Sequence, residues 1–193
     1  PNYIEEATSL LEEHMGQMLT PEFGDLDGDG DIDLLVGDFN GFIQYFENTS
    51  LGSSLSFTFI ENVGNIDLSG NSVPTLGDLD GDGDLDLVIG QLNGSLAFYR
   101  NVGTSSEYNF QLDAFDAIAV ESNSAPELMD LELDGDLDLV IGSANEGILF
   151  YRNLDSVTFQ FQLDLDMAVS MVGVNTRPAM GHLFEVGTLD IIT

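Results

Sequence analysis

The chain lacks several residue types on which other protein classes depend. It has no cysteine, so disulfide staples and thiolate chemistry are both excluded. Of its 193 residues only 3 are basic whereas 35 are acidic, and the net charge is −32. Nucleic-acid binding needs clustered Lys and Arg to neutralise phosphates, so that class is excluded. Docking on an anionic membrane is disfavoured for the same reason, and no apolar run is long enough to span a bilayer.

Histidine is almost as scarce, and this bears on catalysis. His14 and His182 are the only two, and neither stands in a spacing typical of a catalytic triad or a metal site. We interpret both as surface residues. The acidic residues could supply an acid–base pair for glycoside cleavage, but those outside the loops described next show no repeated grouping. We therefore expect that the chain is not an enzyme.

One acidic pattern is abundant, because it occurs three times. Carboxylates stand at positions 1, 3, 5 and 9 of a short loop with glycine at position 6, and position 7 can add a backbone carbonyl. Such an oxygen cage is typical of Ca²⁺, whereas Mg²⁺ keeps several waters. We predict about three calcium ions, one per loop. The predicted ligands are Asp25, Asp27, Asp29, Asp31 and Asp33, then Asp78, Asp80, Asp82, Asp84 and Asp86, and finally Asp130, Glu132, Asp134, Asp136 and Asp138.

The details of the loops separate this site from related ones. An EF-hand needs an acidic residue at position 12, where Val36, Ile89 and Ile141 stand, so the pattern indicates a strand–loop–strand site. The third loop has Glu132 and Leu133 where the others have Asp and Gly, which predicts different or weaker binding. A fourth version over 182–190 has lost most ligands and is predicted not to bind.

The alternative is that the loops are solvated Asp-Gly turns. Converging carboxylates repel one another by about 1 kcal/mol per close pair even with water-like screening, so three repetitions disfavour this alternative. We expect the ions to act as structural staples, because protein oxygens would saturate them and leave few positions for a substrate.

A proline opens each copy of a longer repeat. Pro21, Pro74, Pro126 and Pro178 are separated by 53, 52 and 52 residues, which is typical of a propeller, solenoid or array. After the acidic loop come an apolar run ending in Gly, a turn and an aromatic strand. The Asn-Gly pairs at 40–41 and 93–94 indicate tight hairpins. Fourth strands are predicted at Phe57–Ile60, Tyr108–Leu112 and Thr158–Leu163, and a helix only over Glu5–Met15.

Four antiparallel strands in about 52 residues predict an all-β fold made of β-propeller blades. The expected ring is incomplete, with three full blades and a split or partial one. We expect further sequence or another subunit to complete it. The predicted divisions are 1–20 as the end of a preceding blade, 21–73, 74–125 and 126–177 as blades 1 to 3, and 178–193 as the start of a truncated blade 4.

The repeat resembles the FG-GAP and VCBS families, which occur in integrin α-subunit propellers and bacterial surface proteins. The shared pattern is Pro-x-apolar-x-Asp-Leu-Asp-x-Asp-Gly-Asp-x-Asp-Leu followed by an apolar run ending in Gly, and it covers the three full copies. The resemblance implies a propeller with calcium loops on one face that binds proteins or glycans. The blade count and the degenerate fourth loop depart from the families.

Three functions follow as hypotheses. The first is a calcium-stabilised module for binding or adhesion in an extracellular or cell-surface protein. The second is a structural subunit whose open half-blades join into a filament. The third is an accessory propeller of a polysaccharide-active enzyme. Expected partners are a protein or glycan ligand, or copies of the chain itself, with no nucleic acid and no membrane insertion.

Other repeated residues carry weaker signals. Arg100 and Arg152 occupy the same place in consecutive copies, within Tyr-Arg-Asn, and we expect them to act within a blade. Asn48 and Asn93 stand in glycosylation sequons, which occur often by chance. We expect half of the recurring aromatic residues to pack between blades, and an outward-facing set could stack on sugar rings. The recurring residues are Tyr45, Phe46, Phe98, Tyr99, Phe150 and Tyr151.

Overall fold

The fold consists of strands alone in the part of the chain that the structure describes. The computed structural model describes residues 16–52, 54–64, 66, 68, 70–113, 118–155, 159–169, 177–181 and 190–192. The predicted helix over Glu5–Met15, both histidines and residues 182–189 of the fourth acidic loop lie outside these residues.

Three four-stranded antiparallel sheets follow one another along the chain, each in simple up-and-down order. The first contains β1 (Thr20–Gly24), β2 (Asp33–Gly37), β3 (Ile43–Asn48) and β4 (Phe57–Asn62). The second contains β5 (Val73–Gly77), β6 (Asp86–Gly90), β7 (Leu96–Asn101) and β8 (Phe110–Leu112). The third contains β9 (Ala125–Met129), β10 (Asp138–Gly142), β11 (Ile148–Asp155) and β12 (Gln160–Val169). Within the described residues a further pair follows, β13 (Ala179–Gly181) and β14 (Asp190–Ile192).

The predicted fold class of propeller-type blades is confirmed by these sheets. The turn at 40–41 joins β2 to β3, and Gly37 pairs with Ile43 across it. The turn at 93–94 joins β6 to β7 in the same way, with Gly90 opposite Leu96. The fourth strands β4, β8 and β12 overlap the predicted runs, although β8 begins two residues later and β12 extends six residues further. The described sheets do not close into a ring.

The core lies between successive sheets. The second strand of each sheet is buried along its whole length. In the middle sheet, one face of β6 packs against the first sheet and the other against the third. Leu35 and Ile43 of the first sheet share one apolar cluster with Leu87 and Ile89 of the second. The second and third sheets share another cluster, which holds Val88, Leu96, Leu139 and Ile141.

Glycine at the end of β2 and of β6 allows this close packing. A Cβ on Gly37 would overlap the carbonyl oxygen of Ser72, in the chain that enters the second sheet. A Cβ on Gly90 would overlap the carbonyl oxygen of Ser124 in the same way. The obstacle is backbone in both cases, so a side chain at these positions would push neighbouring sheets apart. The run that ends in Gly is therefore a packing requirement.

Candidate metal centre

Each acidic loop joins the first strand of a sheet to the second. The first loop runs from Asp25 to β2, the second from Asp78 to β6 and the third from Asp130 to β10. The first two are neighbours, because Asp25 and Asp84 line one small cavity of about 30 Å³ between them. The loops thus lie at one end of the sheets.

The position-1 carboxylate folds its own loop. Asp25 accepts hydrogen bonds from the backbone N–H of Gly28 at 2.7 Å and of Gly30 at 3.1 Å. Gly30 has a φ of 91°, a left-handed conformation that residues with a Cβ adopt only with strain. The glycine at position 6 therefore provides the predicted sharp turn. The equivalent bonds in the other loops run from Gly83 to Asp78 at 3.0 Å and from Gly135 to Asp130 at 3.0 Å.

The position-9 carboxylates are structural anchors, which sequence reasoning missed. Asp86 is 1% exposed, and its two oxygens accept the backbone N–H of Leu79 at 3.0 Å and of Asn101 at 2.8 Å. It thus ties the start of the loop to the end of β7. Burial raises the pKa of Asp86 to about 6, although the two N–H donors act in the opposite direction. Asp33 and Asp138 make the same pair of bonds, to Leu26 and Asn48 and to Leu131 and Asn153.

Two of the loops bring carboxylates together closely enough to hold a metal ion. Oxygens of Asp25, Asp27 and Asp29 lie within 4.8 Å of one another, and so do those of Asp78, Asp80 and Asp86. A calcium ion sits 2.3–2.6 Å from each ligand, so oxygens on opposite sides of it are about 5 Å apart. The spacing fits that ion. Among the described residues, the third loop forms no such group of three.

An unpaired oxygen in the second loop also fits a cation. Asp84 is 7% exposed, and its Oδ1 is buried with no hydrogen-bond partner among the described residues. Burial, together with the neighbouring carboxylate of Asp82, raises the pKa of Asp84 to about 6. A buried acceptor without a partner is costly, so the electrostatics of this loop favour a bound positive charge. Position 7 was expected to offer only its backbone carbonyl.

Arginines reach two of the loops from the third strand. Arg100 on β7 forms an ion pair with Asp80 of the second loop and another, at 3.0 Å, with Asp113 beyond β8. Arg152 on β11 pairs with Glu132 of the third loop and, at 2.7 Å, with Asp164 on β12. The pairing with Arg152 lowers the pKa of Asp164. The spacing of the repeats predicted a common role for the arginines but not their contact with position 3.

The loops and the strands that follow them match a known family. The model of the FG-GAP-like repeat matches residues 25–89 and again residues 78–141, together more than half of the chain. The chain belongs to the FG-GAP-like repeat family. No curated protein matches it. The described part of these FG-GAP-like repeats contains no helix with the length and apolarity needed to cross a membrane.

Four of the six recurring aromatic side chains of the FG-GAP-like repeats are buried. Tyr45, Phe46, Phe98 and Phe150 are at most 4% exposed. Tyr45 packs edge-on against Tyr108 of the next sheet with ring centroids 5.4 Å apart. Burial removes these four side chains from any sugar-stacking surface.

The sequon asparagine Asn48 has a structural role. Its Nδ2 donates to the carbonyl oxygen of Ile32 at 2.8 Å, and its side-chain oxygen accepts the N–H of Ser50 at 3.1 Å. Asn153 makes the corresponding Nδ2 bond to Leu137 at 3.2 Å. A glycan on Asn48 would replace one of the two hydrogens of the Nδ2 that donates to the first acidic loop.

Leu133 is strained in the third FG-GAP-like loop, and its replacement is expected to stabilise the fold. It has a φ of 58° where the second loop has Gly81 at 74°, and it is 68% exposed. A residue with a Cβ costs about 1–2 kcal/mol in the left-handed conformation. Glycine avoids this strain, but it loses about 0.5–1 kcal/mol of the gain because it has more conformational entropy in the unfolded chain. Leu133→Gly should raise the free energy of unfolding by about 1 kcal/mol in denaturant titration. The converse Gly81→Leu should lower it, and a loss in Leu133→Gly would contradict the strain.

Glu127 is expected to make stability depend on pH. It lies on β9 at the position of Glu22 on β1, and burial, with the charge of Glu22, raises its pKa to about 7. A raised folded pKa stabilises at low pH, and this contribution is lost as pH rises from about 4.5 to about 7. Glu127→Gln should therefore be about 1 kcal/mol more stable than the parent at pH 8, after allowance for partial solvent screening, and not at pH 4.

Thermal unfolding from pH 4 to pH 8 measures this difference between the two proteins. The exposed Glu107→Gln is the matched control, because it removes the same charge from the surface. Equal stability of Glu127→Gln and the parent at pH 8 would show that Glu127 is not desolvated.

Proposed function

We propose that the chain is a calcium-stabilised module for binding or adhesion in an extracellular or cell-surface protein. The main support is the pair of carboxylate triads, Asp25, Asp27 and Asp29 and Asp78, Asp80 and Asp86, whose oxygens lie within 4.8 Å. The proposed calcium ligands are the fifteen acidic residues of the three loops. Extracellular calcium modules bind with dissociation constants of about 10⁻⁴–10⁻³ M, which suits an ion that is permanently available outside the cell.

In this proposal the ions are structural staples. Each loop joins two strands of one sheet, and the buried Asp86 ties the second loop to the end of β7. An ion in the loop would neutralise the repulsion among its carboxylates and add bonds to the folded state alone. Binding to the folded state alone raises its stability with ion concentration.

The proposed binding surface lies at the opposite end of the sheets. A pocket of about 240 Å³ lies beyond the ends of β2 and β6 and the start of β5, and its lining includes Phe39, Leu92, Asn71 and Arg177. Phe39 is 46% and Leu92 is 41% exposed. Exposed apolar groups beside polar ones favour a protein or glycan ligand. We propose no nucleic-acid binding, no membrane insertion and no catalysis.

Calorimetric titration of the full chain with calcium tests this function. We expect about three sites with dissociation constants of about 10⁻⁴–10⁻³ M, and no comparable binding of magnesium at the same concentrations. The matched variant Asp25→Asn with Asp29→Asn should lose one site. Absence of calcium binding up to about 10 mM, well above that range, would remove the basis of the proposal.

Assembly into a filament is a second candidate. Within the described residues, β13 and β14 form a two-stranded sheet, whereas the other sheets have four strands. A strand edge without a neighbour pairs readily with another chain. Light scattering in calcium should then show particles that grow with protein concentration, and a monodisperse monomer would overturn this candidate.

A further inference from the structure

One position of the third strand carries a different charge in the first sheet than in the second and third. The residue before the asparagine that closes the third strand is Arg100 in the second sheet and Arg152 in the third, but Glu47 in the first. The two arginines are two of only 3 basic residues in the chain. Positive charge is thus placed beside the second and third loops, whereas the first sheet has a negative residue at the equivalent position of its third strand.

Both arginines make the same two contacts. Arg100 bridges Asp80 at position 3 of its loop and Asp113 at the far side of its sheet, and Arg152 bridges Glu132 at position 3 and Asp164. In each case one partner is a predicted calcium ligand, and the other lies on the fourth strand or directly after it. The guanidinium therefore neutralises part of the charge that a metal ion would neutralise.

Further packing holds Arg100 in this position. Its guanidinium carbon lies 4.1 Å from the centre of the Phe159 ring, directly before β12 of the next sheet. Such a cation–π contact adds to the two ion pairs and does not involve Asp80. Arg152 has a more exposed side chain, 43% against 22% for Arg100.

We propose that Arg100 and Arg152 are tethered cations that compete with calcium for the position-3 carboxylate and so grade the affinities of the three loops. This inference rests on the calcium function proposed above. The first loop, with Glu47, binds calcium most tightly. The second and third loops bind more weakly, and they remain partly neutralised by arginine when calcium is scarce, so the sites fill in sequence as calcium rises.

Site-resolved NMR on the full chain tests this grading. The backbone N–H groups of Gly30, Gly83 and Gly135 each donate to the position-1 carboxylate of one loop, so their ¹⁵N shifts report calcium binding loop by loop. In the parent, Gly30 should shift at the lowest calcium concentration. Arg100→Gln should tighten binding at Gly83 by about tenfold, the effect of one unit charge near the ion, and leave Gly30 unchanged. Arg152→Gln should do the same at Gly135.

Two further variants separate tethered competition from general charge. Glu47→Arg should weaken binding at Gly30 by about tenfold. Asn93→Asp changes the net charge by the same unit in the turn after β6, far from the loops, and should change no site by more than about twofold, which is the matched control for net charge. Equal calcium affinities of the three loops, or an unchanged Gly83 titration in Arg100→Gln, would overturn the grading and leave calcium binding intact. No calcium-dependent shift at any of the glycines in the parent would instead refute the proposed function itself.

Discussion

Replacing Asp86 with Ala lowers the free energy of unfolding by about 4 kcal/mol, even when calcium has been removed. The carboxylate is 1% exposed and accepts two backbone N–H groups, those of Leu79 and Asn101. Without an acceptor each of these buried donors costs about 1–3 kcal/mol. Denaturant unfolding in chelator measures the loss directly.

The matched control for this prediction is Asp82→Ala in the same loop. Asp82 is exposed, and its carboxylate accepts the backbone N–H of Asp84 at 3.1 Å. In chelator it should change stability by less than about 1 kcal/mol, as surface substitutions usually do. In calcium it should cost more, because a proposed ligand is lost. If Asp86→Ala and Asp82→Ala were equally mild in chelator, the anchoring role of position 9 would be wrong.

Removing calcium is expected to lower the Tm by about 10–20 °C. An ion at a hundredfold excess over its dissociation constant stabilises the folded state by about 2.7 kcal/mol, so the two loops with carboxylate triads together provide about 5 kcal/mol. For a chain of this size each kcal/mol corresponds to about 2–4 °C. Differential scanning calorimetry with calcium and then with chelator measures the shift.

Two controls make the calcium effect specific to the loops. Magnesium at the same concentration should restore little of the lost Tm, because it resists dehydration by an all-protein cage. The double variant Asp25→Asn with Asp29→Asn should show about half of the parent's shift, because one triad remains. The same Tm in calcium and in chelator would rule out the staple role.

The sequence predicted the repeats well because their signals are local. Asn-Gly at 40–41 and at 93–94 indicates a hairpin, and in the structure Gly41 and Gly94 have the positive φ that such turns use. Pro21 and Pro74, which open their copies of the repeat, lie in the first strand of their sheets. The position-6 glycines were also predicted correctly, since Gly30 and Gly83 adopt the left-handed conformation that the turn needs.

The missed features depend on side chains that meet across a sheet. Asp86 lies fifteen residues from Asn101, and nothing in the loop itself shows that both its oxygens face backbone donors. A signal was present, because the same separation recurs between Asp33 and Asn48 and in the third copy. The contact of Arg100 with Asp80 spans twenty residues and depends on how the third strand crosses the loop. The divisions into blades and the ligand roles stay predictions.

The positions of bound ions in a crystal would show whether the three acidic loops hold calcium. Crystals of the full chain grown in millimolar calcium, measured for anomalous scattering, should show a peak among Asp25, Asp27 and Asp29, another among Asp78, Asp80 and Asp86, and a weaker one in the third loop. Each ion should lie about 2.3–2.6 Å from its carboxylate oxygens. Well-ordered loops with no anomalous peak in any of the three would contradict the account.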